Sequence, residues 1–323
     1  MSRGGIAVLV NPTAGHGRRR GAIPAVLERL GTAGVPVRVL DAHNSEEAEK
    51  ACHAAVAEGA SALVAVGGDG TVHQALQAVA GRPVGFGVIP AGTGNDFAEG
   101  VGVPRELLEA ADRVAAAVRD GRTTGFDLAR MTGPAAARGG GPPAARGGGS
   151  PAARGGGPES EVRWFGAVLA AGFDAIVNER ANRMRWPRGP RRYDLAIVLE
   201  MARLRARRYE LELDGVDRSF DGVLVAVGNC PSYGGGLRIC PAADPADGLL
   251  DVVVAAPLGR AGLARLKPRL RRGTHVTDPR VTAYRARRVR IGASGIIGYA
   301  DGERIGPLPL DVSCVPGAVR LLL

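Results

Sequence analysis

Twice within the first hundred residues an aliphatic run ends in a glycine-rich loop. Ala65-Val66 leads into Gly67-Gly68-Asp69-Gly70-Thr71, and Val88-Ile89 into Pro90-Ala91-Gly92-Thr93-Gly94-Asn95-Asp96-Phe97-Ala98. Glycine lacks Cβ, so its backbone turns tightly and its N–H groups come close to an anion. After the first loop, Val72, Ala75, Leu76 and Val79 recur at helical spacing. A helix beginning near Thr71 would add its dipole to the loop. A plain strand-to-helix turn explains either loop alone, and Asn95 alone reads as a helix N-cap. Turn chemistry does not explain the pair. Two such loops at the same end of adjacent strands face one crevice, where open α/β sheets bind ligands.

The flanking pattern supplies that sheet. Residues 6–10, 35–40, 61–66 and 84–89 read as short buried strands. Helical spacing separates them over 20–33 and from Ser45, a candidate N-cap, and recurs from Pro104. Alternation of this kind predicts a parallel sheet in an α/β domain. From residue 161 the pattern turns to strands, at 163–169, 209–213, 223–227, 250–255, 287–291 and 295–299. Helical stretches at 174–184 and 191–207 interrupt them. A second, mainly antiparallel β domain is expected there. Between the halves, residues 133–158 repeat with period eight, placing Arg138, Arg146 and Arg154 in equivalent positions. Nothing in that segment buries apolar area, and it reads as a disordered insertion.

Composition narrows the function. The 323 residues suit two domains, and 45% hydrophobic content excludes global disorder. Aromatics at 4% leave no stacking platform for single-stranded nucleic acid. The four cysteines form no C-x-x-C pair, which removes zinc and redox motifs. The first apolar run, Ile6 to Val10, is too short for a signal-peptide core. No run reaches the ~18 apolar residues of a spanning helix, so a cytoplasmic protein is expected. P-loop, dinucleotide and protein-kinase signatures are missing. A net charge of +10, nearly all the cations arginine, suits phosphates or anionic membrane surfaces. Basic runs at 183–192, 203–208 and 265–272 read equally as solvated surface or as a lipid-docking face. Asp69, inside the first loop, would repel a nucleotide unless it holds Mg2+ or takes up a proton.

Six ordered motifs carry a family resemblance. They are Asn11-Pro12-x-Ala14-Gly15; Gly67 to Thr71; Gly92 to Ala98; Ala171-Gly172-Phe173-Asp174; Gly234-Gly235-Gly236 with Pro241 and Asp247-Gly248-Leu249-Leu250-Asp251; and Ala300-Asp301-Gly302-Glu303. Together they resemble the diacylglycerol kinase catalytic family, in its soluble bacterial lipid-kinase branch. Sphingosine and ceramide kinases are relatives of that branch. The resemblance implies a Rossmann-like α/β domain of NAD-kinase and diacylglycerol-kinase type over 1–130. The insertion would occupy 131–160 and a β-sandwich lipid-substrate domain 161–304. Residues 305–323 would return to the first domain.

The resemblance also implies an ATP site of Asn11, Leu40, Gly67, Gly68, Asp69, Gly70, Thr71, Val72, His73, Thr93, Asn95 and Asp96. Glu303 matches the family's proposed general base, with Asp301 and Asp69 as further catalytic carboxylates. Asp244, Asp247 and the Leu249 carbonyl match an Mg2+ site, and Asp127 an acidic position near a second metal. Oxygen donors of that kind suit Mg2+. The implied reaction moves the γ-phosphate of ATP to the hydroxyl of diacylglycerol, giving phosphatidate for phospholipid synthesis. The enzyme would work peripherally at the inner membrane face, on anionic lipid, with no nucleic-acid partner; a homodimer stays open. Sphingosine or ceramide phosphorylation, an NAD kinase and a non-catalytic lipid or nucleotide sensor remain alternatives. In one departure, Arg18 stands near the place where many members carry a lysine, and Arg is a fork rather than a point charge.

Overall fold

The computed structural model describes residues 4–11, 20–133, 161–184, 186–187 and 191–323. The repeat read as a disordered insertion, His16 and Arg18 lie outside the described residues.

A strand that must run parallel to the previous one needs a crossover, and here each crossover is a helix. The chain runs β1 (Ile6–Val10), α1 (Ile23–Gly31), β2 (Val37–Leu40), α2 (Ser45–Ala57), β3 (Ala62–Gly67), α3 (Asp69–Val79) and β4 (Gly85–Pro90). The short α4 (Asp96–Gly100), α5 (Leu107–Asp120) and β5 (Thr124–Gly133) follow. Strand order is β2-β1-β3-β4, all parallel. Direction along the sheet reverses after β2, so right-handed crossovers put α1 on one face and α2 and α3 on the other. Accordingly α1 packs on α5, and α2 on α3. Residues of β3 and β4 are buried on both faces, as a covered parallel sheet requires.

The second half holds β6 (Glu161–Phe165), β7 (Val168–Ala170), α6 (Phe173–Arg183), α7 (Arg191–Ala202) and β8 (Arg207–Leu213). Then come β9 (Val216–Asp217), β10 (Phe220–Gly222), β11 (Leu224–Gly228), β12 (Leu250–Ala255) and α8 (Arg260–Arg272). The chain finishes with β13 (Val281–Ala286), β14 (Arg288–Gly292), β15 (Ile297–Ala300), β16 (Glu303–Pro307) and β17 (Leu310–Leu321). One sheet of the sandwich is β13-β12-β11-β7-β15-β16, with every pairing antiparallel. The other continues the parallel sheet directly, in the order β10-β8-β14-β17-β4-β3-β1-β2. Between the sandwich sheets lies a core of Met131, Phe165, Leu169, Leu211, Val225, Val252 and Ile291, among others.

β17 makes that continuity. Its first residues pair antiparallel with β14, and Arg320 and Leu321 pair parallel with Gly85 and Phe86 of β4. Antiparallel β5 follows it along its length, and the register shifts between Val315 and Val319. At that irregularity the buried Asp127 of β5 accepts Gly317 N at 2.8 Å and, from the loop before β12, Gly248 N at 2.7 Å. Gly317 and Gly248 both have positive φ, a conformation glycine adopts without strain.

The sequence reading differs from the structure in several places. The expected strand over 163–169 is two strands in different sheets, because Gly166 and Ala167 turn to give their N–H groups to Asp301. Asn44, not Ser45, caps α2, accepting Glu47 N at 2.9 Å. The helix expected to reach residue 207 stops at Ala202. Helix α8 went unread because arginines interrupt its apolar face.

Asp127 therefore joins three chain segments. Replacing it by Ala removes the buried carboxylate that two part-buried N–H groups donate to and is expected to cost about 2–4 kcal/mol. Urea denaturation with and without EDTA checks this: the loss should be the same in both. A loss that disappears under EDTA would make Asp127 a metal ligand instead.

Candidate active site

The registers set Val10 beside Val66, Val66 beside Ile89, Gly67 beside Pro90, and Leu9 beside Leu40. Asn11, Leu40 and both glycine loops therefore share the carboxyl edge of the sheet. With order β2-β1-β3-β4, the chain reverses direction between β1 and β3, and the crevice opens at that point. The two loops touch through their backbones: a Cβ on Gly92 would meet the Gly68 Cα at 2.4 Å. Asn95 holds the second loop closed, accepting Gly92 N and donating to Gly92 O, each at 3.1 Å. Thr93 at the tip of this loop is exposed. No side chain caps α3, so its first N–H groups face the crevice without a capping side chain.

Four carboxylates converge here, with different occupations. Asp96 accepts Gly235 N at 2.9 Å and Gly236 N at 2.8 Å, tying the second loop to the Gly234-Gly235-Gly236 turn of the other domain. Asp301 accepts Gly166 N at 3.0 Å and Ala167 N at 2.9 Å, and its Oδ2 lies 3.1 Å from His73 Nδ1. His73 is 1% exposed, and Thr71 and Val72 are also buried. These positions correct the sequence reading. Asp301 and His73 brace α3 against the second domain, and neither the His73 ring nor the Val72 side chain lines an open nucleotide surface. Asp96 likewise spends its oxygens on backbone.

Asp69 and Glu303 are placed differently. Asp69 accepts Phe97 N at 3.4 Å, and among the described residues no basic side chain pairs with it. Burial, together with the charges of Asp96 and Asp301, pushes its carboxyl up to about 7. Glu303 opens β16 just past a two-residue hairpin turn, Asp301-Gly302, with φ of 51° and 84°. Asp-Gly is the pair such a turn favours. The turn hangs Glu303 over the start of α3, where a Cβ on Gly70 would meet its Oε1 at 2.8 Å.

Of the implied metal set, Asp244, Asp247 and Leu249 stand together in the loop before β12. Among the described residues no group of three His, Cys, Asp or Glu could hold a metal ion. Asp244 accepts Ala246 N at 3.0 Å, and Asp247 accepts Leu249 N at 3.0 Å and pairs with Arg285. Both oxygens of Asp127 serve glycine N–H groups. Arg285, which pairs with Asp247, also lies 3.6 Å from Asp251.

Two residues escaped the sequence reading. Asn229 is fully buried and donates to Asp127 O and Gly166 O, both at 2.9 Å, so one amide bridges the strands that meet at the cleft. Gln77 makes a two-way bond with Trp164, holding α3 to β6. A polar residue inside an apolar stretch was the available signal in both cases.

Comparison with known proteins agrees with this architecture. Residues 5–131 match the diacylglycerol kinase catalytic domain, and 167–323 match the YegS C-terminal NAD kinase beta sandwich-like domain. The chain is 41% identical over 320 residues to a diacylglycerol kinase of Mycobacterium tuberculosis (strain ATCC 25618 / H37Rv), covering 99% of this chain and 95% of that protein. It is 24% identical over 308 residues to one of Staphylococcus aureus (strain MRSA252), covering 94% and 87%. A crystal structure of a diacylglycerol kinase from Bacillus anthracis str. Sterne superposes with TM-score 0.67 at 18% identity, covering 98% and 96%. An NAD kinase from Archaeoglobus fulgidus in complex with ATP superposes with TM-score 0.52 at 14% identity, covering 98% and 93%, and shares the fold. The chain thus belongs to the diacylglycerol kinase family and is a kinase of the lipid-kinase class.

The raised Asp69 carboxyl gives a pH test. Its folded value lies above the ordinary 3.8, so the folded protein holds the proton more tightly than the unfolded chain between about pH 4 and 7. Stability from this group falls as pH rises through that window, and the penalty is complete above it. Asp69→Asn removes the penalty. Thermal unfolding of the ligand-free protein should show the variant gaining on wild type from pH 5 to pH 8. Its kinase activity should drop by on the order of 10²-fold or more.

Proposed function

We propose that this protein transfers the γ-phosphate of ATP to the free hydroxyl of diacylglycerol, giving phosphatidate. The observation that carries the reading is the placing of Glu303. It hangs from the second domain over the uncapped start of α3, beside two phosphate-sized glycine loops and Asp69. A nucleotide's phosphates fit the loop and helix start, where no side chain caps the first N–H groups.

Mg2+ brought with the nucleotide fits Asp69. It is a half-buried carboxylate without a cationic partner among the described residues, and Mg2+ commonly takes one or two carboxylates, phosphate oxygens and waters. When bound, the ion offsets charge on the β and γ phosphates. The remaining work falls to this chain. The loops fix the phosphates, and the N-terminus of α3 meets the negative charge. Glu303 accepts the proton of the attacking hydroxyl as the new O–P bond forms and the bond to the β-phosphate oxygen breaks. Such a base is typically worth ~10²–10⁴-fold. Asp301 and His73 keep the hairpin that carries Glu303 in register with α3.

The lipid side is supported by a cavity of about 570 Å³ in the second domain. Ala175, Ile176, Met184, Ile296, Ile297 and Pro307 give it apolar walls, and Arg180, Arg183 and Arg207 also line it. Ile297 and Pro307 are the base of the hairpin whose tip carries Glu303. Three residues of strand separate base and tip, roughly 10 Å. An acyl chain in the cavity and a hydroxyl at Glu303 are thus compatible on one molecule.

The test is transfer of labelled phosphate from ATP to dispersed dioctanoylglycerol, sphingosine, ceramide and NAD. Label in phosphatidate is expected, with Glu303→Gln losing ~10²–10⁴-fold while still binding ATP. Label confined to another acceptor would move the substrate. A fully active Glu303→Gln would remove the base.

A further inference from the structure

Helix α7 leaves an apolar stripe exposed. Arg191, Leu195, Val198, Leu199 and Ala202 follow one another at i, i+4, i+7, i+8 and i+11, one continuous stripe. In an ordinary surface helix that stripe faces the core. Here Ala196 is the one buried residue of α7, and Val198 and Leu199 are 63% and 37% exposed. The inward side carries Ala196 and the partly buried Ile197, packed against Val177 and Ala181 of α6, together with Glu200, paired with Arg180. Trp186, 78% exposed, and Tyr193, 39%, stand just before and at the start of the same helix. These four make up most of the large exposed apolar side chains among the described residues.

Arginines surround the stripe. Arg183 and Arg191 lie at one end, and Arg203 and Arg205 at the other, all exposed. Arg260 at the start of α8 donates to the Ala202 carbonyl and extends the basic border. The cavity described above lies on the inner side of α7, with α6 supplying Arg180, Arg183 and Met184 to its lining and α7 supplying Glu200. Water is a poor solvent for such a stripe, and a second protein surface would not call for a cationic frame of this extent. An anionic bilayer satisfies both parts: acyl chains take the apolar residues, and lipid phosphates take the guanidinium groups.

We infer that the outer face of α7, framed by Arg191, Arg203 and Arg205, is the element that seats this protein on an anionic membrane. The purpose of that contact rests on the lipid-acceptor reading; its observations are independent of it. The basic runs alone were visible in the sequence, and the apolar stripe between two of them makes the surface an insertion face and not only a charged one.

Flotation of the full chain with vesicles tests this. Phosphatidylcholine vesicles and vesicles of equal parts phosphatidylcholine and phosphatidylglycerol would be compared at low and high salt. Wild type should float with the anionic vesicles and be released in part by salt. The V198S/L199S double variant should bind them at least about tenfold more weakly. It should keep the wild-type melting temperature and the wild-type rate on dispersed dioctanoylglycerol. The R203Q/R205Q variant should also bind more weakly, with a shallower salt dependence. Unchanged flotation of V198S/L199S would overturn the inference. So would a wild-type dimer that this variant converts to monomer, since a second copy would then cover the stripe. If no lipid in the acceptor panel is phosphorylated yet flotation still depends on Val198 and Leu199, docking stands and the acceptor reading falls.

Discussion

Buried carboxylates that accept backbone N–H groups hold the two halves of this molecule together. Asp96 grips Gly235 and Gly236, Asp127 grips Gly248 and Gly317, and Asp301 grips Gly166 and Ala167. In each pair the donors belong to tight turns, five of the six being glycine. An ion pair between long side chains would hold the same distance loosely, because both chains keep rotamer freedom. A short carboxylate on two backbone donors has almost none left to lose. Charge-assisted bonds of this type are also the stronger ones. The interface between the domains is therefore a set of stiff joints, and the cleft has the shape those joints impose.

That stiffness explains how carboxylates this close differ in character. Asp96, Asp127 and Asp301 have donors on both oxygens, so their charge is already solvated by the protein. Asp69 lacks equivalent donors, and burial with its charged neighbours drives its carboxyl up to about 7. The protein thus carries an unmet demand for positive charge at one oxygen pair, beside the loop where phosphates fit. Asp301 also contributes a backbone role. Its left-handed φ closes the hairpin that aims Glu303, so one residue both locks the domains and positions that side chain.

Much of the first domain was legible because its physics is local. Strand, glycine loop and helix follow one another within twenty residues, and the spacing of Val72, Ala75, Leu76 and Val79 declares a buried face. The sites of Gly67 to Gly70, Asp69 and Glu303 could be named from motifs for the same reason. What stayed hidden was non-local. Whether Asp96 or Asp127 holds a metal or a backbone depends on partners 139, 140, 121 and 190 residues away in sequence. The pairing of Asp247 with Arg285, 38 residues on, could not be read from the motif that holds Asp247. β17 was hidden as a sheet element because one end joins the antiparallel part and the other the parallel part of one continuous sheet, and no single periodicity covers both.

The same distinction accounts for α7. A helix reading of residues 191–207 finds the element and counts its apolar residues, but periodicity says nothing about which way the stripe points. Direction is set by the neighbours. Arg180 of α6 offers Glu200 a partner on the inner side, and Ala196 is small enough to let the helices approach there. Packing the other way would set Leu195, Val198 and Leu199 on α6 but leave Arg180 facing the cavity wall without its carboxylate. An uncompensated charge against apolar surface costs more than a few exposed aliphatic side chains. This orientation of α7 is therefore the cheaper fold in water, and its exposed stripe becomes favourable once an apolar phase lies against it.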